Sequence, residues 1–169
     1  MKPDVPVQNY STLQKISHWI IVILCVLEFP TAEGIRKSHA GHAFGVKAPL
    51  LDQLSAAVHE WGGWLILALV ALLIVSRFVL GAPPLPSGMR SWQRLFAHFI
   101  HTAIYLGLAA LVASGVVAMY VSGRYAPLHI MLAKAGIGLI AVHVAAALWH
   151  QFIRRDHLLE GILPARKRR

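Results

Sequence analysis

The sequence predicts an all-α fold, a four-transmembrane-helix bundle, on three observations. Hydrophobic residues fill 57% of the 169 positions and charged residues only 14%, at a mean hydropathy of +0.60. A soluble domain cannot hide that much apolar surface from water. The apolar residues are gathered into four runs separated by Gly, Pro and charge, and a membrane span needs ~20 mostly apolar residues. Most of the basic residues fall outside those runs, Lys134 within the fourth being an exception, and a membrane surface favours that placement. That placement accounts for the formal net charge of +9 without nucleic acid, which a basic balance alone would admit.

The elements follow in order. The first span is expected over about 12–32, with its apolar part at 16–29 and a helical lead-in from Tyr10. It is the shortest run, carries Glu28, and reaches spanning length only by starting before Ile16 or continuing past Pro30. The stretch ahead of it, 1–15, is polar and lacks a small-x-small cleavage site, so the helix is expected to be retained rather than removed as a signal peptide. Residues 31–57, polar with scattered Gly and Pro, read as a loop of moderate length. The second span is expected over 58–80 and holds the unbroken apolar stretch 64–75. Pro83, Pro84 and Pro86 then stop the helix. A third span over 93–121 and a fourth over 128–153 are joined by a short turn containing Gly123, and a basic tail occupies 154–169. The length suits one membrane domain over 1–169. Cys25 is the lone cysteine, which excludes an internal disulfide and a Cys-x-x-Cys-His attachment of c-type haem. In its apolar run it reads as a small packing residue.

Four spans put both termini on one side. That side collects Lys2, Lys15, Arg77, Arg90, Arg94, Arg154, Arg155 and the last four residues, while Arg36, Lys37, Lys47 and Arg124 fall opposite. The excess of positive charge predicts cytoplasmic termini in a bacterial inner membrane.

Seven of the ten histidines lie on the spans or at their ends: His18, His59, His98, His101, His129, His143 and His150. A titratable group inside a bilayer is expensive, and a hydrogen bond across helices repays only ~0.6–2 kcal/mol of that cost. His129 and His143 are 14 residues apart, a rise of about 21 Å that returns to nearly the same helix face. One helix thus offers two imidazoles toward opposite membrane surfaces, as two stacked haems on a shared helix require. By depth, His59 stands level with His129, and His18 with either His143 or His150. Two imidazoles on one iron leave no open coordination position, which favours electron transfer.

Several stretches together identify a family. They are Tyr10-Ser11 followed by Ile16-Ser17-His18-Trp19, then Cys25-Val26-Leu27-Glu28-Phe29, His59, and Ser76-Arg77-Phe78 before the Pro loop. Ala97-His98-Phe99-Ile100-His101 with Tyr105, His129, Val142-His143-Val144, Trp149-His150 and Arg155-Asp156-His157 complete them. In these residues the chain resembles the bacterial cytochrome b561 family of diheme b-type membrane cytochromes, whose wider group includes the cytochrome b subunits of formate dehydrogenase and nickel-iron hydrogenase. The resemblance implies two haem b groups, a periplasmic one on His59 and His129 and a cytoplasmic one on His18 and His143. It is the resemblance that selects His143 over His150. His98, His101 and His150 are then left near the cytoplasmic haem as quinone candidates.

A free-standing member type of that family is superoxide oxidase, which passes an electron from periplasmic superoxide to ubiquinone. The resemblance therefore implies a superoxide:ubiquinone oxidoreductase. The alternative is an electron-transfer subunit linking a periplasmic dehydrogenase or c-type cytochrome to quinone, and a further alternative is a haem-free helix bundle. Arg36, Lys37, Lys47 and Arg124 would steer an anionic substrate from outside. His39 and His42 read as part of a solvated outer loop. Glu28 reads as a proton shuttle, as the partner of a loop cation, or as a carboxylate close enough to the interface to stay wet.

Overall fold

The computed structural model describes residues 9–43, 45–81, 83–84, 88–156 and 158–163, with the side chains of 39–43 outside the description. Every regular element in it is helical: α1 (Thr12–Ala43), α2 (Leu50–Leu80), α3 (Ser91–Tyr120) and α4 (Ala126–Leu148), the last continued by a π-helical turn at Trp149–Arg154. Short 3-10 turns occupy Gly123–Tyr125 and Leu158–Gly161. Four stretches are long and apolar enough to cross a membrane, Thr12–Ser38, Leu50–Leu80, Ser91–Tyr120 and Gly123–Arg154. The chain is an all-α protein of four membrane-spanning helices. Its large apolar side chains face outward in number, Phe78 at 88% exposure and Val79 at 74% among them, which is stable only with lipid as the solvent.

The loop expected over 31–57 is instead mostly helix. α1 runs through Pro30 to Ala43, and α2 begins at Leu50. The first span therefore extends well beyond 32 and the second starts before 58. The basic residues Arg36 and Lys37 are helical rather than loop residues, and so are the positions of His39 and His42, whose side chains lie outside the described residues. At the other end of the chain, the regular α-helix of the fourth span stops at Leu148. Lys2, His157 and residues 164–169, with the basic run 166–169, also lie outside the described residues.

The chain forms two compact units. One, residues 16–74, holds most of α1 and α2. Lys37 Nζ lies 3.6 Å from an Asp52 carboxylate oxygen, and the Ser38 hydroxyl donates to the Asp52 carbonyl at 3.4 Å. Farther back along α1, Gly34 meets Ser55, and Glu28 meets His59 and Gly62. Contacts that move back along α1 move forward along α2, so the two helices run antiparallel. At Gly34 they touch backbone to backbone, because a Cβ there would stand 2.7 Å from the Asp52 carbonyl oxygen and 2.8 Å from the Ala56 nitrogen. Gly34→Ala must force the helices apart, and overpacking of this kind costs about 1–3 kcal/mol. A lowered thermal midpoint in detergent is the expected result, and a wild-type midpoint would contradict the close crossing.

The other unit contains the rest of the described chain, before residue 16 and from 75 onward. Ser11 opens α1 with a capping box: its hydroxyl accepts from Gln14 N–H at 3.2 Å, and the Gln14 side chain accepts from Ser11 N–H at 3.0 Å. The Gln14 amide then donates to the Gly81 carbonyl at 2.9 Å. Gly81 ends α2 at φ +74°, a conformation that glycine adopts without strain. Tyr10 N–H donates to Gly161 O and Lys15 Nζ to Leu163 O, tying the start of α1 to the C-terminal turn. α3 and α4 pack along one another, joined by the turn around Gly123, with Pro127 in the first turn of α4.

Candidate haem-binding histidines

Within the unit formed by α3 and α4, His129 sits near the start of α4 and points at α3. Its Nδ1 lies 2.9 Å from the Leu111 carbonyl oxygen and 3.2 Å from Ser114 Oγ. A carbonyl only accepts, so Nδ1 carries the proton and donates it. Ser114 meanwhile donates its own proton to Leu111 O at 2.7 Å. In the neutral ring this leaves Nε2 with a lone pair, the form in which imidazole ligates a metal. Gly115 makes room for the ring, since a Cβ there would come within 3.0 Å of His129 Cε1 and 3.1 Å of Nδ1.

Within the α1–α2 unit, His59 is held in the same sense by different groups. Its Nδ1 lies 2.7 Å from Glu28 Oε2, 3.1 Å from the Glu28 carbonyl oxygen and 3.4 Å from Thr31 Oγ1. Here too the acceptor-only oxygens place the proton on Nδ1 and the lone pair on Nε2. Glu28 is thus the partner of a histidine, rather than of the loop cation that was one of its expected readings. His59 lies nine residues inside α2 rather than at its start.

Toward the other end of α4, His143 and His101 meet edge to face with ring centroids 4.9 Å apart and planes at 80°. His101 Nδ1 donates to the Ala97 carbonyl at 2.6 Å. Arg77 donates to the Tyr105 hydroxyl at 3.3 Å. His98 itself is exposed on α3. His150 is 8% exposed, with Nδ1 2.5 Å from Asp156 Oδ2. It lies in the π-helical turn that follows α4 and ends at Arg155, φ +54°. His129 and His143 share the regular α-helix and hence one face. The π-helical turn begins at Trp149, one residue before His150. In the other unit His18 stands half-buried, edge-on to Trp19 at 5.4 Å between ring centroids.

Between the levels of His129 and His143, α3 and α4 border a shallow apolar groove lined by Ile104, Gly107, Leu111, Gly136, Leu139 and Ile140. Each unit thus holds an imidazole fixed at Nδ1, His59 in one and His129 in the other, in the tautomer that could ligate a b-type haem, and small apolar residues stand beside α4. The cations expected to steer an anion are partly engaged. Arg36 pairs with Glu33 and Lys37 with Asp52, while Lys47 and Arg124 are exposed. Sequence reasoning found the histidines by type and spacing. It missed the carbonyl of Leu111, Ser114 and the Asp156 partner of His150, since acceptors remote along the chain leave no mark in a local pattern.

Comparison with known proteins adds the family. A family profile described as prokaryotic cytochrome b561 matches residues 9–165. Cytochrome b561 homolog 1 of Escherichia coli strain K12 is 24% identical, covering 94% of this chain and 99% of that protein. Cytochrome b562 of Cereibacter sphaeroides is 27% identical over 89% of this chain and 92% of its own length. A protein of Yersinia pestis named probable superoxide oxidase CybB is 24% identical, covering 95% and 98%.

Proposed function

This chain belongs to the prokaryotic cytochrome b561 family, and from that premise we propose that it is a superoxide:ubiquinone oxidoreductase holding two haem b groups. Membership implies a multi-pass membrane electron-transfer protein with b-type haem. Haem b supplies, when bound, a one-electron couple. The observation that carries the ligand reading is the pinning of Nδ1 in both His59 and His129 by accepting oxygens, which puts the lone pair of each neutral ring on Nε2, the atom that would ligate iron.

In this reading His59 and His129 bind the periplasmic haem, and His18 and His143 the cytoplasmic one. The family resemblance, rather than the helix register, selects His143 over His150. His98, His101 and His150 serve quinone. With Nδ1 anchored, the Nε2 atoms of His101 and His150, when protonated, donate to a quinone carbonyl as it is reduced, and are reprotonated afterwards. Superoxide as donor is motivated by the name of the Yersinia relative and by the exposed Lys47 and Arg124. The termini are cytoplasmic, on the side with the excess of Lys and Arg.

Stopped-flow mixing tests the reaction. Haem-loaded protein is expected to be reduced by superoxide faster than dismutation consumes it, and added ubiquinone to reoxidise it. Absence of haem reduction under a superoxide flux would exclude superoxide as donor. Co-purification of a bound redox subunit would then assign the chain as the link between a periplasmic dehydrogenase or c-type cytochrome and quinone.

A further inference from the structure

We propose that Glu28 is a positioning residue that fixes the tautomer of His59 and lowers the reduction potential of the iron this imidazole binds; the inference rests on the reading of His59 as an axial ligand. Glu28 reaches His59 Nδ1 twice, through Oε2 at 2.7 Å and through its backbone carbonyl at 3.1 Å. Neither oxygen can donate in the ionised residue, so the ring proton is held on Nδ1 whichever bond dominates. The carboxylate itself has a prepared seat. Its Oε1 rests against buried Gly62, in the space any side chain at that position would fill. A glycine one turn along from the histidine thus makes room for the acid that orients it.

The two rings assigned to the periplasmic haem are therefore not equivalent. His129 donates to a neutral carbonyl and a hydroxyl, whereas His59 donates to a carboxylate. A carboxylate partner draws the Nδ1 proton, raises the basicity of Nε2 and strengthens its donation to a metal. A nearby negative charge also stabilises the more positive oxidation state. Ferric iron gains more than ferrous iron from both effects, so taking up one electron becomes harder and the potential falls. The charge acts in a setting with little water, since the Glu28 and His59 side chains are only 19% and 21% exposed.

Redox titration of the purified holoprotein, followed optically, tests this. Glu28→Gln keeps the shape and removes the charge. It is expected to move one of the two haem components to higher potential, to leave the other in place, and to weaken haem retention on that side about 10- to 100-fold. Gly62→Ala evicts the carboxylate and is expected to raise the same component. His59→Ala identifies that component by removing it. Glu28→Gln protein with wild-type potentials and full haem, beside a His59→Ala variant that loses one haem, would overturn the role of Glu28 alone. A His59→Ala variant that keeps both haems would overturn the ligand assignment beneath it.

Discussion

His129→Ala is expected to remove one haem of the two and to leave the other. The ring is fixed at Nδ1 by Leu111 O and Ser114 and seated against Gly115, and no neighbouring side chain on α4 can take over its position, because Leu128 and Ile130 are apolar. Alanine leaves the iron with a single imidazole on that side. The helix itself should survive, since alanine is the best helix former and the α3–α4 packing continues through Gly107 and Leu139. Haem content per chain, measured by the pyridine haemochrome method, reads the loss. His59→Ala should give the same loss, and the two variants combined should lose no more than either alone. Full haem content in His129→Ala would remove His129 from the ligand set.

The second large effect separates His143 from His150. His143→Ala is expected to lose the cytoplasmic haem, whereas His150→Ala is expected to keep both and to slow quinone turnover by ~10²-fold or more, the usual range for a lost acid–base group. His150 follows the end of the regular α-helix and has its Nδ1 bound to Asp156. Asp156→Asn should reproduce part of the His150→Ala defect, because it removes the acid that holds the ring. His98→Ala and His101→Ala should likewise retain both haems with slower quinone reaction. Retention of two haems in His143→Ala, with loss in His150→Ala, would reverse the assignment.

Hydropathy reports the membrane rather than the helix, and that explains what was legible. The third span, expected over 93–121, emerges as Ser91–Tyr120 because its polar flanks are also its ends. The first does not. Pro30 and the polar residues after it look like a stop, yet α1 continues to Ala43, supported by the Arg36–Glu33 pair one turn apart and by the crossing at Gly34. Those supports come from a segment some twenty residues away and from a helix-surface ion pair, neither of which a hydropathy window weighs. The histidines were visible because ionisable groups are rare in lipid. Their partners were not: Leu111 contributes a carbonyl, which every residue owns, and Glu28 meets His59 only because α2 folds back along α1. Asp156 was quoted only as part of a family motif, and no residue type announces the π-helical turn in which His150 sits.

The haem content of the purified protein tests the central claim most directly. A reduced-minus-oxidised spectrum with a b-type α-band, and two haems per chain, is the result expected from paired imidazoles at two levels of the membrane. A spectrum without that band, from protein expressed with haem available, would contradict the claim that these histidines hold haem.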